Sequence, residues 1–142
     1  MKVKEIMTPR VIQISPEESA AVAARRLTHY NIGVLPVCSA DGTLCGVLTD
    51  RDIVTRCLAS GQRAEDTAVR SIMTSNVVSA APEMETTAAA SMMARQQVRR
   101  LPVVEKGMLC GMISLGDLSR HEQSAPDATD ALAEISSNVA DW

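Results

Sequence analysis

Two stretches decide the fold: Leu44-Cys45-Gly46-Val47-Leu48-Thr49-Asp50-Arg51-Asp52 and, 65 residues later (117 − 52 = 65), Leu109-Cys110-Gly111-Met112-Ile113-Ser114-Leu115-Gly116-Asp117. The segments in front of them also recur, with Val3-Lys4-Glu5-Ile6-Met7-Thr8 returning as Val69-Arg70-Ser71-Ile72-Met73-Thr74, and Leu35-Pro36-Val37 as Leu101-Pro102-Val103. Two copies are too few for a solenoid, which needs about three repeats. The duplication therefore predicts two half-domains packed about a pseudo-twofold axis.

Each copy predicts the same order of elements, β-α-β-β-α, and hence an α+β fold. A short apolar strand (Val11 to Ile14, or Val77 to Ser79) precedes a helix whose apolar residues recur at i, i+3, i+4 and i+7. Pro16 suits the first turn of that helix in the first copy, with Ser15 or Ser19 as the cap.

The second half of each copy predicts a hairpin and a final helix. Asp41-Gly42 favours a tight turn between two strands, and Lys106-Gly107 takes its place in the second copy. In the first copy a helix then runs from Thr49 to a C-cap at Gly61, and its counterpart after Ser114 is shorter.

The repeated hydroxyl-x-x-acid, Thr49-x-x-Asp52 and Ser114-x-x-Asp117, has two interpretations. At a strand-to-helix junction it is the pattern of a capping box. At the same junction, free helical N–H groups could receive a phosphate, and the carboxylate could accept hydrogen bonds from a ribose diol. Gly46 and Gly111 would let another group approach the backbone closely. The spacing alone leaves both interpretations open.

Composition excludes several classes of function. The chain has no Phe, one Tyr and one Trp, and its net charge is −3. Single-stranded nucleic acids are usually bound by aromatic stacking and duplexes by a basic face, so nucleic-acid binding is not expected. We found no apolar run long enough for a membrane helix and no signal peptide, which predicts a cytoplasmic protein.

Catalytic and metal signatures are missing as well. The sequence has no phosphate-binding loop with Lys, no G-x-S-x-G elbow and no dinucleotide fingerprint, so an enzyme is not predicted. Its four cysteines form no C-x-x-C pair and stand at no zinc-like spacing from a histidine. They are expected to be small buried hydrophobes, although the paired Cys45 and Cys110 leave a thiol-based stress sensor as an alternative.

The order Ile-Met-Thr, Leu-Pro-Val, Gly-x-x-Thr/Ser-x-x-Asp, found twice, resembles the tandem CBS-domain pair, the Bateman module. The resemblance implies two CBS repeats, 3–61 and 69–123, separated by a linker, 62–68, and followed by a C-terminal tail, 124–142. It also implies a stand-alone bacterial regulatory module that needs no cofactor, binds AMP, ADP, ATP or S-adenosylmethionine, forms a homodimer and signals to an unknown protein target. A ligand-free scaffold protein is the other candidate.

The resemblance further implies two clefts between the repeats, in which the acid of one repeat meets the Ile-Met-Thr segment of the other. In one cleft Asp117 would bind the ribose and Ser114 would lie near phosphate, with Thr8, Gln13, Ile32, Gly33 and Met112 around the base and sugar. In the other, Asp52 and Thr49 would act with Thr74, Ser79, Val98, Arg99 and Val47. Aliphatic side chains and backbone groups would hold the adenine.

The second half of the chain differs from the first in two respects. Arg99 and Arg100 replace Gly33 and Val34, and they are interpreted either as phosphate contacts in the Asp52 cleft or as surface or dimer-contact residues. The tail is expected to be disordered or to dock on the body or on a partner, with Trp142 either an anchor or part of a frayed end.

Overall fold

The structure, a computed structural model, describes residues 1–121 and 123–137. The chain divides into two compact units: unit 1 joins Met1–Val11 to the chain from Val78 onward, and unit 2 is Ile12–Val77. The compact units therefore differ from the sequence repeats, because the first segment of repeat 1 belongs to the unit that contains repeat 2. The predicted linker is part of unit 2, where Thr67 is buried and its carbonyl accepts the amide of Ala20.

Unit 1 holds a three-stranded antiparallel sheet in which Met108–Ser114 lies between Thr8–Pro9 and Arg100–Glu105, and unit 2 holds a two-stranded sheet of Val34–Cys38 and Leu44–Thr49. The elements in chain order are α1 (Val3–Ile6), β1 (Thr8–Pro9), α2 (Ala20–Tyr30), β2 (Val34–Cys38), β3 (Leu44–Thr49), α3 (Asp50–Asp52) continued by a π-helical segment (Ile53–Leu58), a 3₁₀ turn (Ala64–Asp66), α4 (Val69–Ile72), α5 (Thr86–Gln96), β4 (Arg100–Glu105), β5 (Met108–Ser114), α6 (Leu115–Ser119) and α7 (Ala125–Ser136).

The predicted amphipathic helices are confirmed as α2 and α5. In α2 the side chains of Ala20, Ala23 and Leu27 are buried, as the i, i+3, i+7 spacing requires. Ser19 is its cap, with its hydroxyl accepting the amide of Val22. Pro16 lies four residues before the helix and not in its first turn, so that prediction is wrong.

Both predicted hairpins are present. Gly42 has φ of 90°, and Lys106 and Gly107 have φ of 52° and 80°, which is the left-handed backbone that a tight hairpin turn needs. Each hairpin carries the same register shift, between Val37 and Cys38 and between Val103 and Val104. The strands predicted before the helices are wrong in extent, because each is reduced to one parallel bridge, Ile14 with Val37 and Ala80 with Val103.

Gly111 lies where β1 pairs with the edge of the hairpin of unit 1. A Cβ atom on Gly111 would lie 2.5 Å from the carbonyl oxygen of Thr8, and one on Gly46 would be closer still to that of Thr74. No side chain fits in that space. The close approach predicted for the two glycines is therefore made by the chain's own backbone, which brings each Ile-Met-Thr segment against the strand of the other repeat.

The tail forms α7, which docks on unit 1. Ala128, Ala131 and Ile135 of α7 are buried in the same hydrophobic cluster as Leu118 of α6. The buried hydroxyl of Ser124, directly before α7, donates to the carbonyl of Leu118 and so links the start of α7 to α6. Of the alternatives for the tail, docking on the body is confirmed for this helix, and Trp142 lies outside the described residues.

We predict that Gly111→Ala and Gly46→Ala each lower the free energy of unfolding by about 1–3 kcal/mol, since the new methyl group must displace a neighbouring backbone strand. Urea unfolding followed by circular dichroism measures the change. Gly116→Ala is the control, because its Cβ would be 3.4 Å from the Ser114 hydroxyl oxygen and alanine is favoured in a helix. Equal stability of Gly111→Ala and Gly116→Ala would contradict the prediction.

Candidate functional site

The two hydroxyl-x-x-acid motifs form complete capping boxes. In unit 2 the Asp52 amide donates to the Thr49 hydroxyl at 3.1 Å, and the Thr49 amide donates to Oδ2 of Asp52 at 3.0 Å. In unit 1 the corresponding distances between Ser114 and Asp117 are 3.1 and 2.9 Å. The capping interpretation is therefore confirmed, and these particular amides already have acceptors.

Each acid also has a second carboxylate oxygen, which faces an arginine. Oδ1 of Asp117 accepts from a terminal guanidinium nitrogen of Arg120 at 2.5 Å, and Oδ1 of Asp52 lies 3.8 Å from Nε of Arg56. Asp52 and Asp117 are only 8% and 7% exposed. A buried carboxylate needs such partners, because desolvation strongly disfavours an unpaired charge.

Capping does not use up these carboxylates. An ionised carboxylate offers about four lone-pair positions, and the capping box occupies one of them. Oδ1 retains acceptor capacity beside Arg120, and the weaker 3.8 Å pair leaves the Oδ1 of Asp52 still less occupied. Each motif thus presents a capping acid whose outer oxygen is paired with an arginine.

Within each unit, the residues of the Ile-Met-Thr segment meet the strand that precedes the acid. In unit 1 Thr8 pairs with Met112, two residues before Ser114. In unit 2 the Val47 amide donates to the Thr74 carbonyl at 3.0 Å, and Thr74 returns a bond of 2.9 Å. Each unit therefore brings together one part of a predicted cleft. The residues are Thr8, Met112, Ser114 and Asp117 in unit 1, and Val47, Thr49, Asp52 and Thr74 in unit 2.

The remaining predicted residues belong to the opposite unit from their assigned acid. Gln13, Ile32 and Gly33 lie in unit 2, and Ser79, Val98 and Arg99 lie in unit 1. The Gly33 carbonyl accepts the amide of Asp50, and the Arg99 carbonyl accepts that of Leu115. Positions 33 and 99 therefore support the helix start of their own repeat, and their role in the other repeat's cleft stays a prediction.

Sequence reasoning missed a groove in unit 1 between the β4–α6 region and α7. Its volume is about 510 Å³, and it is lined by Arg99, Arg100, Ser114, Leu115, Gly116, Ser119, Arg120, Ala128, Thr129 and Leu132. The sequence signal that could have revealed it is the Arg-Arg pair one strand away from Ser-x-x-Asp-x-x-Arg. The wall supplied by α7 could not be read from that pattern, because it depends on where the tail docks.

All four cysteines are free thiols, and the expectation that they are buried is confirmed for two of them and wrong for the other two. Cys38 and Cys57 are buried, whereas Cys45 and Cys110 are partly exposed. Burial raises the pKa of the Cys38 thiol to about 11, with the neighbouring Cys45 adding to the rise. Among the described residues no three His, Cys, Asp or Glu side chains gather as metal ligands.

No helix in residues 1–121 and 123–137 combines the length and the hydropathy that crossing a membrane would require.

Comparison with known sequences identifies relatives that cover nearly the whole chain. The profile of the CBS domain matches residues 3–59 and 69–124. The CBS domain-containing protein YhcV of Bacillus subtilis is 40% identical over 134 residues, which are 94% of this chain and 94% of YhcV.

Three solved structures share the fold. Hypoxic Response Protein I, crystallised with two coordinated zinc ions, has a TM-score of 0.80 and 30% identity, covering 85% of this chain and 98% of that one. CBSX2 in complex with AMP has a TM-score of 0.75 and 28% identity, covering 84% and 93%. The CBS domain pair of MJ0100, in complex with 5′-methylthioadenosine and S-adenosyl-L-methionine, has a TM-score of 0.75 and 29% identity, covering 84% and 94%.

These matches agree with the duplicated hairpins, the paired capping boxes and the mixed helix-and-sheet architecture. The chain belongs to the CBS domain family and carries two CBS repeats.

Proposed function

We propose that this protein is a regulatory module that binds an adenosine ligand (AMP, ADP, ATP or S-adenosylmethionine) and signals through a change in conformation or in dimer contacts. The observation that carries the proposal is the pair of buried acids, Asp52 and Asp117, each at the end of a duplicated strand and each with an outer oxygen facing an arginine. Related structures solved with AMP and with S-adenosyl-L-methionine support this class of ligand.

The chemistry of binding follows from the outer oxygen of each acid. In unit 1, a ribose diol would donate to Oδ1 of Asp117 while Oδ2 keeps the capping bond from the Ser114 amide. The ligand would compete with Arg120 for that oxygen, and the released guanidinium would remain available to a phosphate. Thr8 pairs with Met112, two residues before Ser114, and both would border the sugar.

Regulation needs a ligand that prefers one of two states of the protein. The Asp–Arg pairs supply a difference between ligand-free and bound states, because binding exchanges an internal ion pair for contacts with the ligand. In unit 2 the exchange would also affect α4, because Arg56 donates to the carbonyls of Ile72 and Met73 at the end of that helix. A ligand that displaced Arg56 from Asp52 would therefore loosen or shift α4, which leads into the Thr74 segment.

A ligand-free scaffold is the second candidate, and the complete capping boxes favour it. Both acids are accounted for as helix caps, so their duplication follows from the duplication of the fold. On this hypothesis an adenosine ligand has no effect on stability, and replacing either acid costs only the cap, about 0.5–2 kcal/mol.

We predict that calorimetric titration detects binding of at least one of AMP, ADP, ATP and S-adenosylmethionine to the wild-type chain. Asp117→Ala and Asp52→Ala should each weaken binding at their own site by about tenfold or more, since hydrogen bonds to a charged group contribute about 1.5–3 kcal/mol. Isothermal titration on the wild type, both single variants and the double variant measures this.

The control variant is Ser19→Ala. It removes the cap of α2, where the Ser19 hydroxyl accepts the Val22 amide at 3.2 Å, and so costs stability of the same kind away from both acids. Ser19→Ala should bind like the wild type. Absence of heat from all four ligands with folded protein would favour the scaffold. Wild-type binding by the double acid variant would show that the ligand binds away from the two acids.

The proposed homodimer is supported by exposed apolar residues on the π-helical segment Ile53–Leu58 of unit 2. Val54 and Leu58 are 55% and 57% exposed and are one turn apart, which is the kind of patch that an intermolecular contact covers. We predict a particle of about twice 15.2 kDa by light scattering, and a monomer for Val54→Asp/Leu58→Asp with an unchanged circular dichroism spectrum. A wild-type particle of 15.2 kDa would contradict the dimer.

For the thiol-sensor alternative we predict a negative result. The thiols of Cys45 and Cys110 each donate to a backbone carbonyl at 3.6 Å. Burial raises the pKa of Cys38, which favours its unreactive protonated form. Mass spectrometry after mild peroxide should find all four thiols intact, while iodoacetamide should label Cys45 and Cys110 before Cys38 and Cys57. A sulfenic acid at Cys45 or Cys110 would favour the sensor.

A further inference from the structure

The equivalent helices of the two units differ in how much of their surface is covered. Helix α5 begins and ends 66 residues after α2 (86 − 20 = 66), so the two helices match position by position. Ala90 and Ala94 of α5 are buried, with 3% and 5% of their surface exposed. Their counterparts in α2 are the half-buried Ala24 and the exposed Thr28. The same helix face is therefore closed in unit 1 and open in unit 2.

The helix that closes this face in unit 1 is α7. Ala128, Ala131 and Ile135 of α7 belong to the same hydrophobic cluster as Ala90 and Ala94 of α5. The match to the second CBS repeat ends at residue 124, directly before α7 begins. Unit 2 is described over its whole length, 12–77, and contains no helix that corresponds to α7. This helix is thus an addition to the repeat, and it covers one of two equivalent faces.

The uncovered face of α2 forms a groove of about 490 Å³, which we call the α2 groove. Four residues line it, namely Ala24, Arg25, Thr28 and His29. The residues 66 positions later all line the space between α5 and α7 in unit 1, and they are Ala90, Ser91, Ala94 and Arg95. The α2 groove is therefore the open counterpart of a surface on which this chain already packs a helix.

The edge of α7 that faces α5 is acidic. Asp127, Asp130 and Glu134 line the space between the two helices together with Arg95 of α5. Helix α7 carries no Lys or Arg, so these carboxylates set its charge. In unit 1 an acidic helix thus packs beside a helix whose adjoining side chain is basic, and such an arrangement of charges selects between partners.

The α2 groove is more basic than its covered counterpart. Arg25 stands where unit 1 has Ser91, and His29 stands where it has Arg95. Arg25 is exposed and makes no ion pair with any residue in 1–121 and 123–137. Helix α2 itself has no Asp or Glu. The carboxylates of a docked helix would therefore meet an unpaired guanidinium at a position where α7 meets a serine.

We propose that the α2 groove binds an acidic amphipathic helix of a second protein. Helix α7 shows the kind of helix that fits: small or aliphatic residues at i, i+3 and i+7, as at Ala128, Ala131 and Ile135, with carboxylates along one flank. Docking of such a helix in a groove is a recurrent mode of protein recognition. The groove would be the surface through which the module contacts its protein target, and in that respect the inference rests on the proposed function.

The two other candidate occupants both carry a cost. The α7 of another copy could reach the α2 groove only by leaving its own unit 1, which would uncover Ala90 and Ala94 and gain no buried surface. A second copy that docked α2 against α2 would bring the Arg25 and His29 of both copies to one interface, and like charges there oppose association. An acidic helix from another protein avoids both costs.

The test supplies the helix as a synthetic peptide of residues 124–137, with a hydrocarbon staple replacing the exposed Thr129 and Ala133. The staple is needed because a helix of this length is marginal in water. Fluorescence anisotropy measures binding of the labelled peptide to the full chain, in which the tethered α7 already fills the face of unit 1. We expect one peptide to bind per chain.

Two variants of the α2 groove should weaken binding of the peptide by about tenfold or more. Arg25→Glu reverses the unpaired charge, and Thr28→Trp places a large side chain at the counterpart of Ala94; both positions are exposed, so the fold should be retained. The control is Lys106→Glu, which reverses an exposed charge in the hairpin turn of unit 1 and should bind the peptide like the wild type.

A peptide of reversed charge tests the electrostatic part of the argument. With Asp127→Lys, Asp130→Lys and Glu134→Lys, it should bind Arg25→Glu about tenfold more tightly than it binds the wild type. Loss of preference in both directions would show that charge does not select the helix.

The remaining outcomes separate this inference from its alternatives. Absence of peptide binding, or equal binding by the wild type, Arg25→Glu and Thr28→Trp, overturns the inference. A wild-type dimer that does not bind the peptide, and that light scattering shows to be a monomer in both groove variants, identifies a second copy as the occupant and overturns it as well.

The proposed function fails independently of the docking surface, because adenosine ligands are titrated without the peptide. Binding of the peptide with no response to AMP, ADP, ATP or S-adenosylmethionine supports the docking surface and removes the adenosine ligand. Binding of an adenosine ligand without binding of the peptide overturns this inference alone.

Discussion

The fold depends on a place where two backbone segments touch. The carbonyl of Thr8 occupies the space in which a side chain at position 111 would stand, and Thr74 does the same at position 46. This contact lets β1 add to the hairpin of unit 1 and places Thr8 beside Met112, two residues before the capping box. Replacing either glycine would push the Ile-Met-Thr segment away from the strand that leads to the acid, so each glycine of the motif is needed for the close approach of the two backbone segments.

Asp52 and Asp117 each divide the two oxygens of one carboxylate between two sets of contacts. The inner oxygen of each carboxylate completes the capping box, and the outer oxygen faces an arginine. Because the cap fixes the orientation of the carboxylate, the outer oxygen is preorganised before any ligand arrives.

Features that depend on residues close in sequence could be predicted, whereas features that depend on how distant segments pack together could not. The Asp41-Gly42 turn and the buried face of α2 follow from local backbone preference and helical period, and both are present. A single bridge, Ile14 with Val37, replaces the predicted strand at Val11 to Ile14, because strand length depends on a partner that the sequence does not display. The groove of unit 1 depends on α7, whose burial against Leu118 comes from tertiary packing.

The composition of unit 1 has a consequence for how such a chain could arise. Since unit 1 takes Met1–Val11 from one repeat and most of its chain from the other, an isolated repeat would lack the strand that covers its own hairpin. Two separate copies could each complete the other's sheet only by exchanging these segments, and such a dimer would dissociate on dilution. Joining them in a single polypeptide makes the exchange intramolecular, so each half meets its missing segment at a high effective concentration.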